Sequence, residues 1–359
     1  MTFHFITHFY GTPITGGKKY NFRLVQALQN TGNKVIIHTD RAIPRKFKIN
    51  YIFYNIWYIF KCLQFQNSIL LIDHYMHPRT FLFVLFLRAL TNVKIIGTVH
   101  HLYHPLQSSR LLSAIDRVIE GLFIASLHVM IIPSKYTLTH IRQSVFRMPT
   151  YKIIHPGVAF QPHRLNIPRR LFKKGQPIRL LFVGGIQKRK GLVFLIEALC
   201  LVQYKNLHLT IIGDPEKEPA YTRQLQNMIK NDKLNNIITL TGHISQEKLE
   251  HHYRQADIYV MPSLHEGYGI VVMEAMRFAL PVIATDNASL PELVHNGVNG
   301  KLVPPSDPDS LAEAIDTLCR SPEKRKEMGL RSFELYQNRA RSWEDVDTSF
   351  IELIKEYLG

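Results

Sequence analysis

The sequence predicts an α/β protein of two doubly wound, Rossmann-like domains, and three observations carry that expectation. Short apolar runs of strand character alternate with helical patterns along most of the chain, the signature of parallel sheets covered by helices on both faces. The alternation lapses once, near residues 155–177, in a Pro-rich and basic stretch, and then restarts. At 359 residues the chain is long enough for two ordinary cores. The expected domains are residues 1–170 and 171–342. Two such domains facing each other would enclose an interdomain cleft, because open parallel sheets bind ligands beyond the carboxyl ends of their strands.

The N-terminal series begins with a strand in "FHFITHF". A Gly16-Gly17 turn then leads to a helix carrying Phe22, Val25 and Leu28, which stops at Gly32 before a second strand, "KVIIHT". Strands follow at "SILLID", "VKIIGTVH" and "HVMIIPS", separated by helical patterns that include "RTFLFVLFLRAL" and followed by "KYTLTHIRQS". The second series reads "IRLLFVG", "LHLTIIG", "NIITLTG", "DIYVMPS" and "PVIATD". The ending, "SWEDVDTSFIELIKEYL", has helical spacing over about residues 343–359. Periodicity leaves open whether this helix stays with the second domain or packs back on the first.

Composition narrows the function classes. The net charge of +16 is lopsided: residues 1–176 hold 23 Lys and Arg against four acids, whereas residues 177–359 hold 21 against 24. A basic N-terminal half attracts polyanions such as an acidic membrane surface, nucleic acid or a phosphorylated substrate, or is simply a solvated face. Three widely spaced cysteines offer no disulfide framework or zinc knuckle and fit a reduced, cytoplasmic protein. The start of the sequence lacks a signal-peptide pattern, and no apolar run is long enough to span a bilayer.

The chemistry concentrates in two stretches. In "SLHEGYGIVVMEAM", Glu266 and Glu274 bracket a strand-to-helix turn containing Gly267, Tyr268, Gly269 and Ile270. Unpaired N–H groups at such a helix start attract an anion, and the glycines allow close backbone approach. In "LLFVGGIQKRKGLVFLIEAL", Gly184 and Gly185 follow a strand, while Arg189 and Lys190 precede a helix. This is not a P-loop, since no hydroxyl residue follows Lys190. Cations facing a helix start, with Glu274 about one turn inside the helix to accept from a ribose diol, describe a nucleotide diphosphate site. Glu266 would lie further along, towards whatever the diphosphate carries. The alternatives are a turn cap for Glu266 and a surface helix residue for Glu274.

At these residues the sequence resembles retaining glycosyltransferases of family 4, which have the GT-B fold of two facing Rossmann-like domains. The C-terminal half carries the two-glutamate signature as "EGYGIVVMEAM", followed by "LPVIATDNASLPELVHNGVNGKLVPPSDPDSLAEAI" and preceded by the "VGG...KG" segment. The N-terminal half carries the looser "ITGGKKYNFRLVQALQNTGNKVIIHT" and "TVHHLYHP". The resemblance implies an acceptor-binding first domain and a donor-binding second one. It implies that Glu274 binds the donor ribose, that Glu266 and the backbone of Gly267 through Ile270 lie along the diphosphate and sugar, and that Lys190 neutralises the leaving diphosphate. It also implies that Gly16 and Gly17 approach the donor phosphates and that His100 stands near the transferred sugar. Catalytic roles thus fall to Glu266, Lys190 and His100. Two departures stand out: Gly185 occupies a place where the family often has arginine, which turns attention to Arg189, and "DNASLPE" lacks a common glycine pair before its proline.

The expected reaction moves a sugar from a UDP- or GDP-linked donor to a glycan or lipid-linked acceptor, with retention and no obligatory cofactor. The expected location is cytoplasmic, peripheral to the inner face of the membrane, for which "RKFKINYIFYNIWYIFKCLQF" is the candidate surface. The same fold would also suit an epimerase or phosphorylase. A nucleic-acid binder has charge alone in its favour, since no recognition motif is present, and no nucleic-acid partner is expected. The histidines of "DHYMHP" and "VHHLYHP", His74, His77, His100, His101 and His104, read as loop residues lining an anionic cleft, without metal-ligand spacing. The Asp307-Pro308-Asp309 and Asp345-Val346-Asp347 triplets read as helix residues, so no metal is expected there either.

Overall fold

The computed structural model describes residues 1–8, 16–39, 50–60, 62–100, 102, 110–158 and 175–358, with side chains omitted at 50–54, 62–63, 110–113 and 358. The expected domain boundary at 170/171, together with His101 and His104, lies outside the described residues. Contacts divide the chain into two compact units: Met1–Gly157 with Trp343–Gly359, and Val158–Ser342.

The first unit runs β1 (Thr2–Thr7), α1 (Gly16–Asn30), β2 (Lys34–Thr39), α2 (Asn50–Phe60), β3 (Ile69–Asp73), α3 (His77–Leu90), β4 (Lys94–Thr98), α4 (Arg110–Ser126), β5 (Val129–Ile132), α5 (Lys135–Ser144) and β6 (Thr150–Ile153). Its strands form one parallel sheet in the order β2-β1-β3-β4-β5-β6. Two apolar clusters cover the sheet. Phe83, Val84 and Phe123 belong to one; Leu24, Val25 and Leu28 of α1 belong to the other. The second cluster also takes Val346, Phe350 and Leu353 of α12 (Trp343–Leu358), so the C-terminal helix is part of this unit. Arg23 ties α1 to α12 through Asp347, 3.0 Å away.

The second unit comprises β7 (Ile178–Val183), α6 (Leu192–Leu201), β8 (Leu207–Ile212), α7 (Pro219–Asn231), β9 (Ile238–Gly242), α8 (Gln246–Gln255), β10 (Ile258–Met261), α9 (Ile270–Arg277), β11 (Val282–Thr285), β12 (Gly300–Val303), α10 (Pro308–Arg320) and α11 (Pro322–Arg339). Its sheet is also parallel, in the order β12-β11-β10-β7-β8-β9. Strand order reverses between β7 and β10 here and between β1 and β3 in the first sheet. These are the points where the following loops diverge to opposite faces and leave a crevice at the strand ends.

Three local expectations need correction. Gly16 and Gly17 are not a turn but the first two residues of α1, where the helix-start penalty for glycine is small. Thr150–Ile153, just ahead of the aperiodic stretch near 155–177 and not expected as a strand, forms the edge strand β6, which is too short and too exposed to show an apolar pattern. The edge strand β12 was hidden in the same way, because only two of its four residues are buried. The Asp triplets behave as helix residues: Asp307 caps α10 by accepting from the Ser310 N–H at 3.0 Å, and Asp345 and Asp347 lie in α12. Among the described residues no helix is long and apolar enough to cross a membrane.

Candidate functional site

The β7 and β10 strands end side by side, and the loops that follow them are locked together. Gly191 has φ +66°, and a Cβ there would stand 2.0 Å from the carbonyl oxygen of Pro262, so only glycine lets the two loops close to this distance. The Leu264 N–H donates to the Arg189 carbonyl at 2.8 Å across the same seam. This closure brings Lys190, in a tight 3-10 turn after β7, against Glu266, in the loop after β10.

Lys190 Nζ donates directly to Glu266 Oε1, and both side chains are buried. The same carboxyl oxygen accepts from Ser263 Oγ at 3.0 Å, with the Arg189 guanidinium 3.8 Å away. Burial alone would raise the Glu266 carboxyl. The charges of Lys190 and Arg189, helped by the hydrogen bonds, outweigh it and hold the pKa below the ordinary carboxylate value. Burial in turn pulls Lys190 below an ordinary lysine, against the opposing pull of Glu266. Arg189 is the part-exposed cation of the group and also donates to the His265 carbonyl at 3.1 Å.

α9 begins just beyond. Its cap, Gly269, has φ +92° and brings no side chain to the first helical N–H groups. Tyr268 is buried, and burial pushes its phenol up to about 12. Glu274 lies in the fifth position of α9 and is buried rather than on a solvated face. Its Oε2 accepts from Tyr253 Oη at 3.1 Å, and the Tyr253 ring stacks on Phe278 with centroids 5.3 Å apart.

The loop carrying Glu266 is held from β11. Ser289 donates to the Glu266 carbonyl from Oγ at 3.0 Å, Asn287 Nδ2 donates to the Leu264 carbonyl at 2.7 Å, and Thr285 Oγ1 donates to the Ser263 carbonyl. Ala288, in the segment that departs from a glycine pair, adopts φ +55°. The backbone therefore keeps a left-handed turn that glycine would take without strain.

In the first unit, a different cluster stands at the β1/β3 crevice. Asp73 Oδ2 accepts from Asn21 Nδ2 at 2.8 Å and from Thr7 Oγ1 at 3.1 Å, while Oδ1 accepts from the Tyr75 N–H at 3.1 Å. With its amide nitrogen committed to Asp73, Asn21 turns Oδ1 to His100 Nε2, 3.0 Å away. His100 must then donate from Nε2. Burial lowers its pKa and His74 adds to this, though Asp73 opposes it; the ring is neutral with its Nδ1 lone pair uncommitted among the described residues. A Cβ on Gly17 would meet the His100 ring at 3.4 Å, which places Gly17 against it.

The residues singled out in the sequence thus form two groups. Gly184, Gly185, Arg189, Lys190 and Glu266 through Ile270, with Glu274, surround the β7/β10 crevice; Gly16, Gly17 and His100 belong to the β1/β3 crevice. Sequence reasoning missed Ser263, Tyr253, Asn21 and Asp73, none of which stands in a recognisable motif. It also missed Lys217, whose aliphatic Cγ would lie 3.4 Å from a Cβ at Gly185, so a lysine stem packs beside the place where arginine is absent. His74 and His77 are not loop residues lining a cleft: both are buried, and His74 Nε2 lies 2.7 Å from Glu120 Oε1.

Comparison with known proteins bears on the same crevice. Residues 163–334 match the family described as glycosyl transferases group 1. That segment holds every residue of the β7/β10 site, whereas Gly16, Gly17 and His100 lie outside it. A curated relative, the amylovoran biosynthesis glycosyltransferase AmsK of Erwinia amylovora, is 32% identical over 175 residues, 46% of this chain and 42% of its own length. The chain spans about half the length of the curated relatives it matches. Solved structures match it over 99% of its residues. Sucrose-phosphate synthase of Thermosynechococcus elongatus, at 21% identity and TM-score 0.81, is covered to 99%; Anabaena HepE in complex with UDP and glucose, at 16% and 0.73, is covered to 100%. At these identities the likeness establishes the fold, which is GT-B.

Proposed function

We propose that the protein is a retaining, metal-independent glycosyltransferase of family 4. It moves a sugar from a UDP- or GDP-linked donor to a glycan or lipid-linked acceptor in surface glycan, polysaccharide or glycolipid biosynthesis. The observation that carries this reading is the buried Lys190–Glu266 pair at the β7/β10 crevice, followed in the sequence by a second buried carboxyl, Glu274, about one turn into α9. The group 1 match over this segment and the UDP held by HepE support it.

In this reading the second unit binds the donor and the first the acceptor. Glu274, held by Tyr253, accepts from the ribose hydroxyls. Gly184 and Gly185 leave room for the diphosphate, and Gly267 through Ile270 line it. As the bond from the sugar to the diphosphate breaks, negative charge grows on the departing phosphate. Lys190, Arg189 and the start of α9 are already in position to meet it, so no metal is required for that step. The acceptor oxygen bonds to the anomeric carbon on the face the diphosphate leaves, and its proton passes to the departing phosphate oxygen. Glu266, kept ionised by its cations, orients Lys190 and faces the sugar.

The location proposed is cytoplasmic, peripheral on the inner face of the membrane. Exposed Ile56, Trp57 and Phe60 of α2, together with the basic N-terminal half of the sequence, support an anionic lipid surface as partner. The test of the donor site is a thermal-shift screen of UDP, GDP, ADP and their sugar conjugates on wild type and Glu274→Ala. Stabilisation by one nucleotide that is lost in the variant is expected. Equal stabilisation of both proteins would remove Glu274 from the site, and none at saturating nucleotide would end the donor-site reading.

A further inference from the structure

A third polar cluster is not used by the sugar-transfer chemistry. His74 opens a 3-10 turn directly after β3, and His77 is the first residue of α3. In so tight a turn, side chains three apart lie on the same side. The two imidazoles accordingly stack, with centroids 5.0 Å apart and planes 18° from parallel. Glu120 reaches them from α4, and Phe123, one turn further along that helix, packs an apolar wall against both rings. All three residues are almost completely shielded: His74 is 1% exposed, His77 3% and Glu120 2%.

The two histidines of this cluster are hydrogen-bonded differently. Among the described residues, both ring nitrogens of His74 are buried without a properly angled hydrogen-bond partner, although Nε2 lies 2.7 Å from Glu120 Oε1. A buried ion pair alone would leave His74 Nδ1 orphaned and would bear the desolvation of two charges. His77 is arranged differently. Its Nδ1 donates to the His74 carbonyl at 3.1 Å, which fixes the tautomer and leaves the Nε2 lone pair in the ring plane. Metal-ligating histidines characteristically hold their tautomer this way.

One ligand atom from each of His74, His77 and Glu120 lies within 4.8 Å of the others. We propose that these three residues form a binding site for a zinc-type divalent cation. Two imidazole nitrogens with one carboxylate suit Zn²⁺ and its first-row neighbours. The set has too few oxygens for Ca²⁺ or Mg²⁺ and no thiolate to favour Cu⁺. Ligands around a tetrahedral ion with bonds of about 2.0–2.2 Å stand roughly 3.3–3.5 Å apart. The 2.7 Å pair opens slightly and the wider separation closes, both within reach of side-chain rotation.

The role is one of positioning. The ion would pin α4 to the turn that follows Asp73, and Tyr75 in that turn stacks against His100 with centroids 6.2 Å apart. Asp73 orients Asn21, and through it His100. A metal here would fix that network without touching a donor phosphate. The inference therefore stands whether or not the sugar-transfer reading does.

The full chain, stripped with a chelator and dialysed, is titrated with Zn²⁺ against a chromophoric chelator and with Co²⁺ by visible absorption. One equivalent of each is expected to bind, with Co²⁺ giving the strong bands of a low-coordinate site. Loss of a direct ligand should weaken Zn²⁺ at least as much as loss of a supporting group, about 100-fold, in both Glu120→Gln and His77→Asn. Failure to bind a stoichiometric equivalent, or undiminished affinity in both variants, would overturn the proposal. Should the variants not fold, ring ¹⁵N spectra of the wild type decide. Zn²⁺ must shift the His74 and His77 resonances, and an equivalent bound without moving them would also overturn it.

Discussion

The two sheets place polar groups at equivalent topological positions and give them opposite chemistry. At the β7/β10 crevice a lysine and a carboxylate meet directly, with an arginine behind them, so permanent charge is fixed in place. At the β1/β3 crevice a carboxyl holds an amide, and the amide holds a neutral imidazole with an uncommitted lone pair. The first arrangement suits an anion whose charge grows during reaction. The second suits the orientation of an uncharged hydroxyl. Strand topology therefore decides where a site lies, and the side chains of two or three loops decide what it can do.

Substitutions separate the two arrangements by size of effect. The largest should come from Lys190→Ala, which leaves Glu266 buried beside a part-exposed arginine alone. A loss of about 3–5 kcal/mol in the second unit is expected by chemical denaturation. Asp73→Asn should cost less, about 1–3 kcal/mol, because an amide keeps one acceptor but turns a donor towards the Asn21 and Thr7 donors. Its specific readout is the His100 ring: the Nε2–H resonance should lose its hydrogen-bonded shift, which mere destabilisation would not cause. A change of opposite sign is expected in the loop that supports Glu266. Ala288→Gly relieves a φ of +55° and should stabilise the protein by up to about 1 kcal/mol, read as a raised denaturant midpoint.

A pH slope in the first unit, absent at neutral pH, gives a further separation. His128 Nδ1 accepts from the Ile95 N–H at 3.1 Å, and burial, followed by the charges of Arg88, Lys94 and Arg147, pushes its pKa from 6.5 to about 4. The depressed folded value means that the stabilisation is complete above 6.5 and is lost as pH falls towards 4, where the ring must charge and give up its bond. His128→Asn should flatten that part of the stability–pH curve measured by amide exchange. An unchanged slope would assign the titration to other groups.

Much of the β7/β10 site was legible because its parts are local. Glu266 and Glu274 stand eight residues apart around one turn, and Lys190 lies in one strand-to-helix loop. Their contact was not legible, since Lys190 and Glu266 are 76 positions apart and meet only through the close approach of the two loops at Gly191, while Ser263, 3 positions from Glu266, stands in no motif. Tyr253 was hidden for a related reason: on α8 it looks like any core aromatic, and only packing shows its hydroxyl on Glu274. The first unit was harder still. Thr7, Asn21, Asp73 and His100 come from four separate segments and meet only because β1, β3 and β4 are neighbours in the sheet. The same long-range assembly turned His74 and His77 from apparent loop residues into buried neighbours of Glu120. Short edge strands escaped because a strand paired on one side and exposed on most of its surface carries little apolar pattern.

The central claim is that the Lys190–Glu266 pair is an anion clamp rather than an internal brace. The direct test replaces both at once, Lys190→Met with Glu266→Gln, which removes the buried charges without stranding either. UDP and GDP binding is then measured by calorimetry beside the denaturant midpoint. The expected result is a midpoint near that of wild type, with nucleotide affinity at least about tenfold weaker, the worth of one charge-assisted contact. A variant that binds nucleotide as tightly as wild type would contradict the claim and reduce the pair to a structural bridge.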